Sequence, residues 1–163
     1  MTSEPVLGAE SRLSVIDIEN AKAPTHVRTI PLGVLAALNI CVSDRYAYVT
    51  GMASSVVGGL SRGEVIDISN PAQPVVVGQW DVVGTPGSLW LQGNYLYSID
   101  EEADILQVVD VSNPSNPVSY DFDIGIGDSG GGHLYGTVSG DYAYIVSATS
   151  GLLRIIRLPQ IGK

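Results

Sequence analysis

The chain is short of the side chains on which much of protein chemistry depends. It has one cysteine, Cys41, two histidines, His26 and His133, and two lysines, Lys22 and Lys163. A single cysteine excludes an intrachain disulfide. Eight basic residues stand against 17 acidic ones, a formal net charge of −9. That balance argues against nucleic acid as a partner, because affinity for a phosphate backbone rests on clustered Lys and Arg that release counterions. Long apolar runs are also lacking. The charge-free windows between Arg28 and Asp44 and between Arg45 and Arg62 are interrupted by Pro31, Gly33, Gly51 and Gly58, and fall short of the ~20 apolar residues of a membrane-spanning helix. No membrane span is expected. Residues 1–5 lack the basic and apolar regions of a secretory signal, so the chain shows no signal peptide and its composition leaves the compartment open.

What is abundant is apolar residues and turn formers. Of 163 residues, 45% are hydrophobic and 15% charged, with 19 glycines and 9 prolines. This is the composition of one folded domain with a substantial core, and residues 1–163 are read as a single unit. Within it one motif is written three times: Val15-Ile16-Asp17-Ile18-Glu19-Asn20, Val65-Ile66-Asp67-Ile68-Ser69-Asn70-Pro71 and Val108-Val109-Asp110-Val111-Ser112-Asn113-Pro114. A worn fourth copy is Ile155-Ile156-Arg157-Leu158. The steps from Asp17 to Asp67, Asp110 and Arg157 are 50, 43 and 47 residues. A second motif runs in phase with the first: Tyr46-Ala47-Tyr48, Tyr95-Leu96-Tyr97 and Tyr142-Ala143-Tyr144. Counted from the first motif, the repeats cover about 13–59, 60–104 and 105–151, with a partial copy at 152–158.

Each period reads as four short strands punctuated by Gly, Pro, Asn and Asp. In the motif strand both alternating sets, Leu106/Val108 and Val109/Val111, are apolar. Such a strand must be covered on both faces. A helix-like spacing survives only over residues 32–42, which align with strand copies elsewhere. Four-stranded antiparallel sheets of 40 to 50 residues, each packed between two neighbours, are the blades of a β-propeller. The fold class expected is therefore all-β. The chain should enter at the third strand of one blade and leave at the third strand of another, thirteen strands in all and about three blades. A propeller needs typically four to eight blades to close. Two readings follow: a homodimer whose two chains complete one six-bladed ring, or a piece of a longer chain, the latter slightly favoured by the way residues 6–12 echo the end of a second strand.

The run Val-Ile-Asp-Ile-Ser-Asn-Pro at 65–71, the Pro-Val-Val-Val-Gly strand at 74–78 and Gly-Asn-Tyr-Leu-Tyr at 93–97 resemble the LVIVD repeat, a propeller-forming repeat of bacterial and archaeal proteins. The resemblance covers roughly residues 13–158. It implies a propeller and, since many such proteins are secreted or surface-bound, an extracytoplasmic setting. It implies no catalytic residues. Arg157 in place of the aspartate and Glu19-Asn20-Ala21 in place of Ser-Asn-Pro depart from the pattern.

Candidate chemistry gathers in residues 121–133, Asp-Phe-Asp-Ile-Gly-Ile-Gly-Asp-Ser-Gly-Gly-Gly-His. Gly127-Asp128-Ser129-Gly130-Gly131 resembles a serine-protease nucleophile signature, but the chain lacks the rest of that architecture. Gly125-x-Gly127-x-x-Gly130 lacks the helix N-terminus that a phosphate loop needs, and Asp128 would repel the phosphate. An EF-hand fails at its fifth, sixth and twelfth positions. An irregular calcium site on Asp123, Asp128 and backbone carbonyls is the metal reading that survives, against the simpler one of a long loop; no other cofactor is expected. Asp100-Glu101-Glu102-Ala103-Asp104 joins two strands on the same side as the blade-joining loops, so that face should be acidic, either as a solvated charge run or as a site for a cation or basic partner. Asp100, Glu101, Glu102, Asp128 and His133 are the candidate ligand-binding residues. Cys41 is expected in the core and His26 at the surface. Asp17, Asp67 and Asp110, each two residues ahead of a turn, should accept backbone N–H bonds. Two functions remain in competition: a non-enzymatic binding or scaffold module for a protein or glycan, and a hydrolase, lyase or calcium-binding domain with its site over the channel near His133, Asp128 and Glu101. Fold does not choose between them.

Overall fold

The computed structural model describes residues 11–43, 45–53, 60–100, 104–125 and 134–161. Among them there is no helix, and thirteen strands form four antiparallel sheets. The first sheet is the pair β1 (Arg12–Asp17) and β2 (Thr25–Pro31). The second holds β3 (Ala36–Val42), β4 (Tyr46–Met52), β5 (Ser61–Asp67) and β6 (Val75–Val82) in chain order. The third holds β7 (Pro86–Gln92), β8 (Tyr95–Asp100), β9 (Ile105–Asp110) and β10 (Val118–Asp123). The last is β11 (Leu134–Ser139), β12 (Tyr142–Ser147) and β13 (Leu153–Arg157). This is the expected succession of two, four, four and three strands, and the ring is not closed. The one window with helix-like spacing, residues 32–42, is the connection 32–35 followed by strand β3.

The sheets stack as propeller blades, each meeting the next across an apolar layer. Ala47, Val49 and Ile66 face the first blade with Leu32 and Val34. From the other side of the same sheet, Tyr48, Val65 and Trp80 meet Leu89, Leu96, Val109 and Val111 of the third blade. The third blade then turns Tyr97, Ile99, Leu106 and Val108 toward Leu134, Ala143 and Ile145 of the fourth. Successive residues of β5 and β9 thus enter opposite layers, as the period-two geometry of a strand requires. A glycine makes the second layer possible: a Cβ on Gly63 would run into the Trp80 indole lying over it.

The innermost strands β3, β7 and β11 lie side by side. Asn39 on β3 donates its amide N–H to the Pro86 carbonyl at 2.9 Å, and Ser88, at the same repeat position on β7, donates to the Leu134 carbonyl at 3.3 Å. These links tie each inner strand to the next at the mouth of the channel.

Candidate functional site

The connections between blades and the second-to-third-strand turns emerge together. The Leu35 N–H reaches the Met52 carbonyl at 2.8 Å, and the Ile124 N–H reaches the Asp104 carbonyl at 2.9 Å. Beside this rim a cleft of about 340 Å³ is lined by Leu38, Asn39, Thr85, Pro86, Gly87 and Tyr135, from the three inner strands and the approach to β7, and by Met52 at the end of β4. Among the described residues its lining is aliphatic and thioether, one amide, one hydroxyl, a proline and the Tyr135 phenol, with no carboxylate or imidazole.

Asp100 sits under this rim rather than on it. It is 3% exposed, and its carboxylate accepts the Thr85 N–H at 2.6 Å. Gly84, at φ +57°, lies so close that a Cβ there would collide with that carboxylate. Asp100 therefore holds the connection from the second blade to the third. Asp123, the last residue of β10, is exposed and accepts the Gly125 N–H at 2.9 Å. Asp104 takes the left-handed conformation at φ +55°, which aspartate tolerates better than most residues. Glu101, Glu102, Asp128 and His133 lie outside the described residues, although the loops that carry them start and end on this face. Among the described residues no group of three or more His, Cys, Asp or Glu is gathered.

The repeated aspartates are turn formers, as their spacing predicted. Asp17, Asp67 and Asp110 accept the N–H of Glu19, Ser69 and Ser112 at 2.8, 2.9 and 2.8 Å. Asn20, Asn70 and Asn113 then accept the N–H of Lys22, Ala72 and Ser115 at 3.2, 3.1 and 3.3 Å. Two side-chain-capped turns in succession reverse the chain into the outer strand. Asp67 has additional donors. The Ser69 hydroxyl and the Arg45 guanidinium hold its pKa down to about 2, Arg45 standing 2.8 Å away.

His26 is exposed on β2, its Nε2 2.7 Å from the Thr29 hydroxyl. Cys41 is half-buried against the layer between the second and third blades, and burial pushes its thiol up to about 12. Burial likewise raises the phenols of Tyr48 and Tyr97, both packed between blades.

One set of polar residues escaped the sequence reading. Glu64, 1% exposed, accepts the Gly33 N–H on both carboxylate oxygens, at 3.0 and 3.1 Å, and the Gln79 amide at 2.7 Å. Gln107 occupies the same place in the next blade. It donates to the Asp81 carbonyl at 3.2 Å and to Asp121 at 3.0 Å. In the first blade the place is held by Ser14, 2.8 Å from Thr29. The signal was present in the sequence: three residues ahead of each motif aspartate, or of Arg157, stands Ser14, Glu64, Gln107 or Arg154, a polar residue directly before the apolar pair of the motif.

Stacked four-stranded antiparallel sheets, inner strands side by side and a capped turn repeated at each motif, define a propeller-blade repeat protein. The LVIVD repeat matches residues 36–82, 83–120 and 137–155, more than half of the chain, and the chain belongs to the LVIVD-repeat family. The first match coincides with the blade β3 to β6, and the second begins in the connection to β7. No curated protein matches the chain. No helix among the described residues is long and apolar enough to cross a membrane.

Proposed function

We propose that the chain is a non-enzymatic binding or scaffold module, working outside the cytoplasm or at the cell surface and presenting its acidic loop face to a protein or glycan partner. The observation that supports this reading is the use the fold makes of its carboxylates. Asp17, Asp67, Asp110 and Asp123 each accept a backbone N–H two residues further on. Glu64 and Asp100 fasten inter-blade connections through Gly33 and Thr85. An acid–base site needs titratable groups released from such duties and aimed at a shared pocket. With those carboxylates committed to turns and connections, the acidic residues left for a partner are the ones the sequence places in the loops 101–104 and 124–133.

The test is a binding screen run beside an activity screen. The immobilised chain is exposed to a glycan array and to basic peptides, and in parallel offered chromogenic ester, glycoside and phosphate substrates. Retention of one ligand class that weakens at least tenfold in a Glu101→Gln/Glu102→Gln variant is expected, without turnover. Turnover that purifies with the chain, or retention indifferent to the double substitution, would overturn the reading.

A further inference from the structure

Among the described residues three buried side-chain polar atoms form no hydrogen bond within the protein: the Thr50 hydroxyl, the Trp80 indole N–H and the Gln107 carbonyl oxygen. They come from two blades, yet all belong to one layer. Thr50 lies two residues beyond Tyr48 on β4, and Tyr48 and Trp80 both pack against the third blade. Gln107 lies two residues before Val109 on β9, and Val109 enters the same layer from the other side. Period-two alternation therefore sends Thr50 and Gln107 into the layer that holds Trp80. The register tightens the grouping. Thr50 is paired with Gly63 and Gly63 with Trp80, a row straight across the sheet. The indole Cε2, the atom bonded to Nε1, is among those lying over Gly63. Gln107 comes to the same part of β6, donating to the carbonyl of Asp81, the residue after Trp80.

The next junction fills the same place with hydrocarbon. In the third blade the equivalent row is Ile99, Leu106 and Phe122, and Ile99 and Leu106 are sealed against the fourth blade. In the second blade all three members differ: threonine stands for isoleucine, glycine for leucine and tryptophan for phenylalanine. Thr50 and Gly63 give up more side-chain atoms than the larger Trp80 takes back. We infer that one ordered water, held between the second and third blades, joins the three groups: it accepts from Trp80 Nε1–H, donates to Gln107 Oε1 and shares a hydrogen bond with the Thr50 hydroxyl. Buried waters typically make about three bonds to groups otherwise unpaired, and a buried polar atom without a partner is rare in a folded chain. The chemistry of the set selects the ligand. The Gln107 amide nitrogen is committed to Asp81 and Asp121, at 3.2 and 3.0 Å, so the side chain offers this layer its oxygen. One N–H, one carbonyl and one hydroxyl carry no charge. A cation would meet the indole N–H, and an anion would meet the carbonyl oxygen. Water, donor and acceptor at once, satisfies all three. The bridge ties β4 and β6 of one blade to β9 of the next.

Water-selective NMR on the full chain, labelled with nitrogen-15, tests this. The chain has two tryptophans, Trp80 and Trp90, and the indole signal lost in Trp80→Phe is that of Trp80. In the wild type this proton is expected to show a nuclear Overhauser effect to water with the sign of a molecule that tumbles with the protein. Relaxation dispersion of water oxygen-17 then counts long-lived waters without interference from exchanging hydroxyls. Its amplitude is expected to fall by one water in Trp80→Phe and by one water in Thr50→Val, each variant first shown to keep the native circular-dichroism spectrum. A Trp80 indole proton without an Overhauser effect to water overturns the inference. So does an amplitude that stays unchanged in either folded variant. If neither variant folds, the Overhauser effect of the wild type decides alone, its signal assigned through Trp90→Phe.

Discussion

The carboxamide of Gln107 donates to the carboxylate of Asp121 across 3.0 Å, and one blade earlier Glu64 and Gln79 form the same cross-strand bond with the partners exchanged. Acid and amide trade strands, and the hydrogen bond survives because only the direction of donation changes. Gln107→Glu would set two carboxylates against each other, with position 107 buried at 3% exposure. It is expected to lose about 2 kcal/mol of stability at pH 7, the scale on which an uncompensated polar group at a buried site costs. The introduced carboxyl's pKa is raised in the folded state, so the deficit shrinks as the pH falls from 7 toward 4. Adding Asp121→Asn restores an acid–amide pair and most of the loss. Urea unfolding of the two variants at both pH values checks this; a deficit that is independent of pH refutes it.

Asp67 sets an acid-sensitive part of the fold. Its pKa is lowered to about 2 in the folded chain by the Ser69 hydroxyl, Arg45 and the Ser69 N–H. A depressed carboxylate pKa contributes stability that is present above the unfolded value, near 4, and lost as the pH falls toward 2. Asp67→Asn is therefore expected to flatten the fall of the thermal midpoint between pH 4 and pH 2. If the variant falls as steeply as the wild type in that window, the turn does not depend on the charge.

Two glycines at nearly the same backbone angle should differ in what a methyl does. Gly84 at φ +57° faces the Asp100 carboxylate, whereas Gly93 at φ +60° has nothing within 4 Å of its would-be Cβ. Gly93→Ala is expected to cost about 1 kcal/mol, the left-handed conformation alone. Gly84→Ala adds a collision with a buried carboxylate and is expected to cost about 2 kcal/mol more. Denaturant midpoints rank the pair, and equal costs would mean that the carboxylate swings aside.

Cys41 should be a poor nucleophile. Its thiol is pushed up to about 12 by burial, and the thiolate is the reactive form. Iodoacetamide at pH 8 is expected to label the native chain at least ~100-fold more slowly than the urea-unfolded one, given a free-thiol pKa near 8.5. Comparable rates would place Cys41 in solvent.

Strands were legible because each repeat writes the same local rules: apolar alternation, Gly-Asn or Gly-Asp turns, and the Asp-x-Ser-Asn-Pro reversal. Their ends moved by a residue or two. The strand whose sequence opens Pro-Val-Val-Val-Gly at 74–78 runs Val75–Val82: proline offers no N–H at its start, while Asp81 and Val82 find partners in Arg62 and Ser61. The site was less legible. Asp100 looked like the first of an acidic surface run, yet its burial is decided by Gly84, on another connection, brought to it by the stacking of blades. Glu64 drew no attention because one carboxylate in one strand has no local meaning; its partner Gly33 is 31 residues away.

The exchanged acid–amide pairs also bear on how the chain finds its own topology. Every motif strand presents nearly the same apolar letters, so hydrophobic packing alone would let β5 recruit the outer strand of the wrong blade. In register, that error sets Glu64 opposite Asp121, two carboxylates in a narrow place, and the mispaired sheet is disfavoured before it consolidates. The blades are alike in grease and distinct in polarity, and the second property disfavours β10 in the place of β6 beside β5.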